Sequence, residues 1–111
     1  MKERLTVENA LAKLAQAQGS EFITLFMQGS LQVEIYKPKA IDRQQPHSRD
    51  EIYVIISGSG YFLQGSERQA FAAGEVLFVP AGVVHRFEDF TDDFATWVFF
   101  YGPSGGEKSG A

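Results

Sequence analysis

From Phe22 to Tyr101 the chain is a succession of short runs rich in β-branched and aromatic residues, broken every few positions by Gly, Pro, Ser or Asp. Such runs fit a pleated, half-buried surface and the breaks supply turns, so this stretch reads as strands joined by tight connections. Phe22 to Gln28 and Leu31 to Lys37 flank Gly29-Ser30, a Gly-X pair suited to a type II′ hairpin. Ile52 to Ile56 and Tyr61 to Leu63 flank a second turn at Ser57-Gly58-Ser59-Gly60, and Gly65-Ser66 reverses the chain again. Arg68 to Phe71, Val76 to Val79, Val84 to Glu88 and Phe94 to Tyr101 bring the total to about eight strands, as in jelly rolls and small closed barrels. No long helical pattern separates the strands, which argues against parallel βαβ packing. The expected fold class is all-β.

The sequence before Phe22 differs. Thr6 followed by Val7 to Ala15 reads as a capped short helix with Val7, Leu11 and Leu14 on one stripe, ended by Gly19. The division expected is therefore a helical extension over 1–20, a barrel over 21–102, and a disordered Gly/Ser-rich tail over 103–111. At 111 residues the chain suits one domain, and 44% hydrophobic residues are enough to bury a core.

Charge and cysteine content narrow the function. The net charge is −4 and the basic residues are scattered, which argues against nucleic acid or an anionic membrane as partner and leaves a small molecule or another protein. There are no cysteines, so disulfides, Cys-based zinc sites and a Cys nucleophile are all excluded. The N-terminus lacks the apolar core of a signal peptide and no apolar run is long enough to span a membrane, so the expected location is cytoplasmic. No Ser/His/Asp set or phosphate-cradling Gly loop supports metal-free catalysis.

Both histidines of the chain fall near features that gather ligands. His47 and Glu51 would stand about 13 Å apart on one straight strand, too far to share an ion. A reversal at Ser48-Arg49-Asp50 would set them face to face across adjacent strands. His85 follows the apolar run Val76 to Val79 and a turn fixed by Pro80 and Gly82. Three polar side chains aimed into an apolar cavity would cost several kcal/mol if unsatisfied, and one ion satisfies them together. The alternative is an ion-free cluster in which they hydrogen-bond one another.

These residues in this order resemble the cupin family. Its first motif, a His-x-His pair with a Glu and then a Gly downstream, is similar to Gln45-Pro46-His47, Glu51 and Gly58. Its second, Gly-x5-Pro-x-Gly-x2-His-x3-Asn, is matched by Gly74, Pro80, Gly82 and His85, with Asp89 in place of Asn. The resemblance implies a jelly-roll, or double-stranded β-helix, barrel. It also implies that His47, Glu51 and His85 are ligands of a divalent metal ion, whether iron, manganese, nickel or zinc. Gln45 stands where the family has its first histidine. Its carbonyl oxygen is either a weak ligand or a device that orients water, and the bland reading is a surface turn residue.

Two histidines and one carboxylate form a set like that of non-haem iron sites, with coordination positions left open. The expected function is binding or transforming an organic small molecule at the barrel mouth, by oxygenase, isomerase or decarboxylase chemistry. The rival is a non-catalytic binding or sensing module with a weakened or empty metal site. Arg49 and Arg86, beside the ligands, are candidates for a substrate carboxylate or plain rim charges. Asp50, Glu88, Asp89, Asp92 and Asp93 read as solvated strand-end charges. On the last strand either Trp97, Phe99 and Tyr101 or Thr96, Val98 and Phe100 should face inward. The apolar Phe22 to Met27 run suggests an edge through which two copies pair as a homodimer.

Overall fold

A computed structural model describes residues 4–108. One helix, α1 (Val7–Gln16), precedes eight strands: β1 (Phe22–Gln28), β2 (Leu31–Tyr36), β3 (Asp50–Ser57), β4 (Ser59–Gln64), β5 (Glu67–Ala72), β6 (Val76–Val79), β7 (His85–Glu88) and β8 (Ala95–Tyr101). They form two antiparallel sheets, one in the order β1-β2-β8-β3-β6 and one in the order β5-β4-β7. The expected all-β jelly-roll architecture with a short N-terminal helix is what forms. Among the described residues no helix is long and apolar enough to cross a membrane.

The β1–β2 turn follows from the sequence. Gln28 pairs with Leu31 across Gly29-Ser30, and Gly29 adopts φ +55°. Only the first central residue is left-handed, as a type II′ turn requires.

The core lies between the sheets and is largely aromatic. Tyr53, Phe62, Phe71, Phe87 and Phe94 are buried with Ile55, Val79, Val98 and Phe100. Phe87 meets Tyr53 at 4.9 Å, Phe62 at 4.8 Å and Phe94 at 4.6 Å between ring centroids, with the planes tilted or edge-on as the ring quadrupoles favour. On β8, Thr96, Val98 and Phe100 face inward, and Trp97 lies on the opposite face against a second cluster. That cluster holds α1 to the outer face of the larger sheet through Ala10, Leu14 and Ile35. Thr6 caps α1 as expected, its Oγ1 accepting the Asn9 N–H at 3.1 Å. The buried stripe is Ala10 and Leu14 with Leu11 partly buried beside them, rather than one that includes Val7, which is exposed at the first turn.

Two other expectations are corrected. Asp50 is buried, not a solvated strand-end charge: its Oδ1 accepts the Ala81 N–H at 3.0 Å and its Oδ2 accepts the Glu107 N–H at 2.8 Å. For the same reason the tail is not loose over 103–108, where Gly105 also donates to the Ser48 carbonyl at 2.6 Å. Backbone donors with fixed acceptors hold this segment despite its Gly/Ser composition. Residues 109–111 of the expected tail lie outside the described residues.

Candidate metal centre

Three elements converge on one point of the barrel. Glu51 sits on β3, held between Val79 of β6 and Phe100 of β8, so its position is fixed from both sides. His85 opens β7 in the opposite sheet, paired with Gln64 of β4. His47 lies in the irregular segment before β3. Its carbonyl accepts the Gly82 N–H at 2.7 Å, which ties it to the Pro80-Ala81-Gly82 turn leading into His85. Gly82 adopts φ +80° there, a conformation glycine reaches without penalty.

His47, Glu51 and His85 each offer a ligand atom, and these atoms lie within 4.8 Å of one another. Glu51 Oε1 is 3.1 Å from His85 Nε2 and 3.9 Å from His47 Nε2. The convergence is as expected but the local route differs. His47 and Glu51 do not face each other across adjacent strands; His47 approaches from a loop whose backbone is anchored to the neighbouring turn.

The donor set fits a cation. Glu51 is 1% exposed and His85 3%, yet Glu51 Oε1, Glu51 Oε2 and His85 Nε2 have no hydrogen-bond partner of good geometry. His85 Nδ1 is 2.8 Å from the Val83 carbonyl. A carbonyl only accepts, so Nδ1 carries the proton and the neutral ring turns its Nε2 lone pair toward the carboxylate. Lone pairs facing lone pairs in a dry cavity need a positive charge between them, either a proton or a metal ion. Burial pulls the His85 pKa down, but the contact with Glu51 and the Val83 carbonyl push it up further, leaving it above the ordinary imidazole value.

Of the readings open for Gln45, the structure matches the surface turn residue. It is exposed on the cavity wall and makes no side-chain hydrogen bond among the described residues. The segment that carries Gln45 and His47 is not a strand, so the two-residue alternation that would put both side chains on one face does not hold there. Gln44 stands beside the site instead. Its Oε1 accepts the Tyr53 hydroxyl at 2.8 Å and lies 3.3 Å from His47 Nε2. Burial and the nearby Glu51 charge raise the Tyr53 pKa well above the usual phenol range, so this hydroxyl stays a donor. No sequence signal separates Gln44 from Gln45 except that one assigns the motif and the other does not.

A cavity of about 440 Å³ opens beside His47 and Glu51, which line it. One wall is β2, whose Gln32, Glu34 and Tyr36 face inward in alternation, and another is Val98 and Phe100 of β8. Arg49 lines it as well. Arg86 does not; it pairs with Glu88 at 2.8 Å on an exposed surface, the rim-charge reading of the sequence. Arg68 bridges Glu88 and Asp89 on the same surface. Asp89, at the position of the family's Asn, has φ +49°, which Asn and Asp tolerate better than other residues with a side chain.

A family profile described as "Cupin domain" matches residues 32–101, so the chain belongs to the cupin family. It is 33% identical over 89 residues to an uncharacterized protein of Streptomyces coelicolor, covering 78% of this chain and 85% of that protein. It is 36% identical over 63 residues to the acireductone dioxygenase of Drosophila melanogaster, covering 52% of this chain and only 34% of that enzyme. Among solved structures it is similar to a cupin 2 conserved barrel domain protein from Salinispora arenicola, with a TM-score of 0.67 at 18% identity over 92% of this chain and 89% of that one.

Proposed function

We propose that this protein holds one divalent metal ion through His47, Glu51 and His85 and binds an organic small molecule in the adjoining cavity. The observation that carries the reading is the buried Glu51–His85 pair, whose facing acceptor atoms have no partner while His85 Nδ1 is fixed by Val83. Two imidazoles and a carboxylate suit iron, manganese, nickel or zinc and leave positions for further ligands. When bound, such an ion supplies Lewis-acid activation of an oxygen-bearing substrate or, if redox-active, dioxygen chemistry. The similarity to a dioxygenase over part of that enzyme's length supports the second option.

The chain's own residues supply position and dryness. Phe100 packs edge-on to His47 at 4.9 Å between centroids and fixes the ring beside Glu51. Tyr53 and Phe62 pack on His85 at 6.1 and 6.2 Å and keep water from its inner side. The cavity volume suits a small metabolite.

Elemental analysis of chelator-stripped protein titrated with zinc, manganese, nickel and iron(II) tests the reading. One ion per chain is expected, with affinity at least tenfold lower in His47→Ala, Glu51→Ala and His85→Ala. Unchanged metal content in all three would remove the basis for it. Turnover of a bound compound by the loaded protein would mark an enzyme, and binding without turnover a sensing module.

A further inference from the structure

The cavity wall formed by Gln32, Glu34 and Arg49 is itself built for recognition. Arg49 donates through Nη1 to the Ser30 carbonyl and through Nη2 to Gln32 Oε1 at 3.0 Å, and its guanidinium lies 5.9 Å from the centre of the Phe100 ring. Two of its five N–H groups are thus used, and no carboxylate pairs with it among the described residues. The same Gln32 amide turns its Nε2 to Glu34 Oε2 at 2.8 Å, and Glu34 Oε2 also accepts the Thr24 hydroxyl at 3.1 Å. Glu34 is 8% exposed and its Oε1 accepts no hydrogen bond among the described residues. One amide therefore separates a fixed cation with free donors from a fixed carboxylate with a free acceptor.

Charge adds a condition. With a divalent ion on His47, Glu51 and His85, the cavity carries the ion and Arg49 against Glu34 and Glu51. The lining is then one positive charge in excess, which a singly charged anion neutralises in a site of low dielectric. Arg49 suits a carboxylate because its planar fork matches two oxygens at once, and its anchoring by Ser30, Gln32 and Phe100 means little ordering is left to do on binding.

We infer that the ligand is a small organic monoanion that also carries a hydroxyl group: its carboxylate meets Arg49, and its hydroxyl donates to Glu34. This deepens the metal-site reading, and its test is arranged so that the two can fail separately. The probes are 4-hydroxybutanoate, butanoate, which lacks the donor, and 4-hydroxybutanamide, which lacks the charge. Binding is measured by calorimetry on zinc-loaded protein, with zinc stoichiometry measured independently on every variant. The hydroxy acid should bind at least tenfold tighter than either comparator. Arg49→Gln should erase its advantage over the amide, and Glu34→Gln its advantage over butanoate, both with one zinc retained. Arg49→Lys serves as the milder variant, keeping the charge and losing only part of the preference. An acid preference that survives Arg49→Gln would mean that the ion alone takes the carboxylate, and would overturn the inference while leaving the metal site standing. Equal binding of all three probes to wild-type protein would overturn it as well. If no zinc binds, the metal reading fails, while an Arg49-dependent preference for the hydroxy acid would still uphold the recognition wall.

Discussion

Asp42 Oδ2 accepts the Gln44 Nε2–H at 2.8 Å and so turns the amide oxygen of Gln44 toward His47 and Tyr53. The carboxylate can only accept, which fixes the orientation of the amide. Asp42 is itself held in the barrel, its Oδ1 accepting the Tyr36 hydroxyl at 2.6 Å and its Oδ2 the Phe87 N–H at 2.8 Å. Burial and this hydrogen bond to Asp42 push the Tyr36 phenol far above its usual range, so the hydroxyl remains a donor.

Gln44 rather than Gln45 should therefore influence the metal site. Gln44→Ala removes the acceptor of the Tyr53 hydroxyl and an oxygen that faces the same His47 Nε2 as Glu51 does, where a neutral carbonyl oxygen adds a further donor to an ion, and zinc affinity should fall about tenfold. Gln45→Ala should change it less than twofold, and Gln45→His should add no ligand. Zinc titrations of the three variants check this; a tenfold gain in Gln45→His would mean that residue 45 faces the ion beside His47.

The ion and the proton compete for the same gap, which gives stability a distinctive pH dependence. His85 has a raised folded-state pKa in the metal-free protein, because Glu51 and Val83 outweigh its burial. The stability from this pair is present below the ordinary imidazole value of about 6.5 and is lost as pH rises through the folded value. Metal binding needs the neutral ring and runs the other way. At 100 times its dissociation constant the ion stabilises by about 2.7 kcal/mol, which for a domain of this size raises Tm by roughly 10 °C. Thermal unfolding at pH 6, 7 and 8, with zinc and with chelator, should show the gap widening with pH. A constant gap would mean that His85 does not exchange its proton for the ion.

Gly58 belongs to the motif but serves the fold. It has φ +85°, and a Cβ there would come within 2.7 Å of the Phe94 Cα and 2.6 Å of Thr91 Oγ1. Backbone cannot yield as a flexible side chain can, so Gly58→Ala should cost roughly 2–3 kcal/mol through strain and clash. Denaturant unfolding measures it. Destabilisation under 1 kcal/mol would mean that the β3–β4 turn relaxes freely.

What the sequence discloses and what it hides divides along backbone regularity. Strand alternation and turn residues placed all eight strands, the Gly29-Ser30 hairpin and the second motif through His85, because period-two burial and left-handed glycines are local properties. The segment over 37–49 has no such period. Its conformation is set by Asp42, reached by Tyr36 and Phe87 from two different sheets, and nothing near Asp42 in the chain indicates those partners. Hence the sequence reads His47 onto a strand it does not join, and it holds nothing that prefers Gln44 to Gln45. Arg49 and Arg86 look alike in sequence; only the closing of β2 against the loop puts one in the cavity and leaves the other outside.

The C-terminal segment is hydrogen-bonded to residues next to the site. Asp50 Oδ2 accepts from Glu107, Ser48 O accepts from Gly105, and Asp50 Oδ1 accepts from Ala81 in the turn that also binds the His47 carbonyl through Gly82. Asp50 thus joins the tail, the turn before His85 and the loop that carries His47. Asp50→Ala orphans two backbone donors and should cost about 1–3 kcal/mol, with zinc affinity falling as the His47 loop loosens. Asp50→Asn keeps one acceptor oxygen and should lose less. Hydrogen exchange at Gly105 and Glu107 gives the local readout: protection should drop at both amides in Asp50→Ala, whereas truncation after Pro103 should lower zinc affinity while leaving the Ala81 amide protected. A truncated chain with unchanged stability and unchanged zinc affinity would show that the tail lies against the site without supporting it.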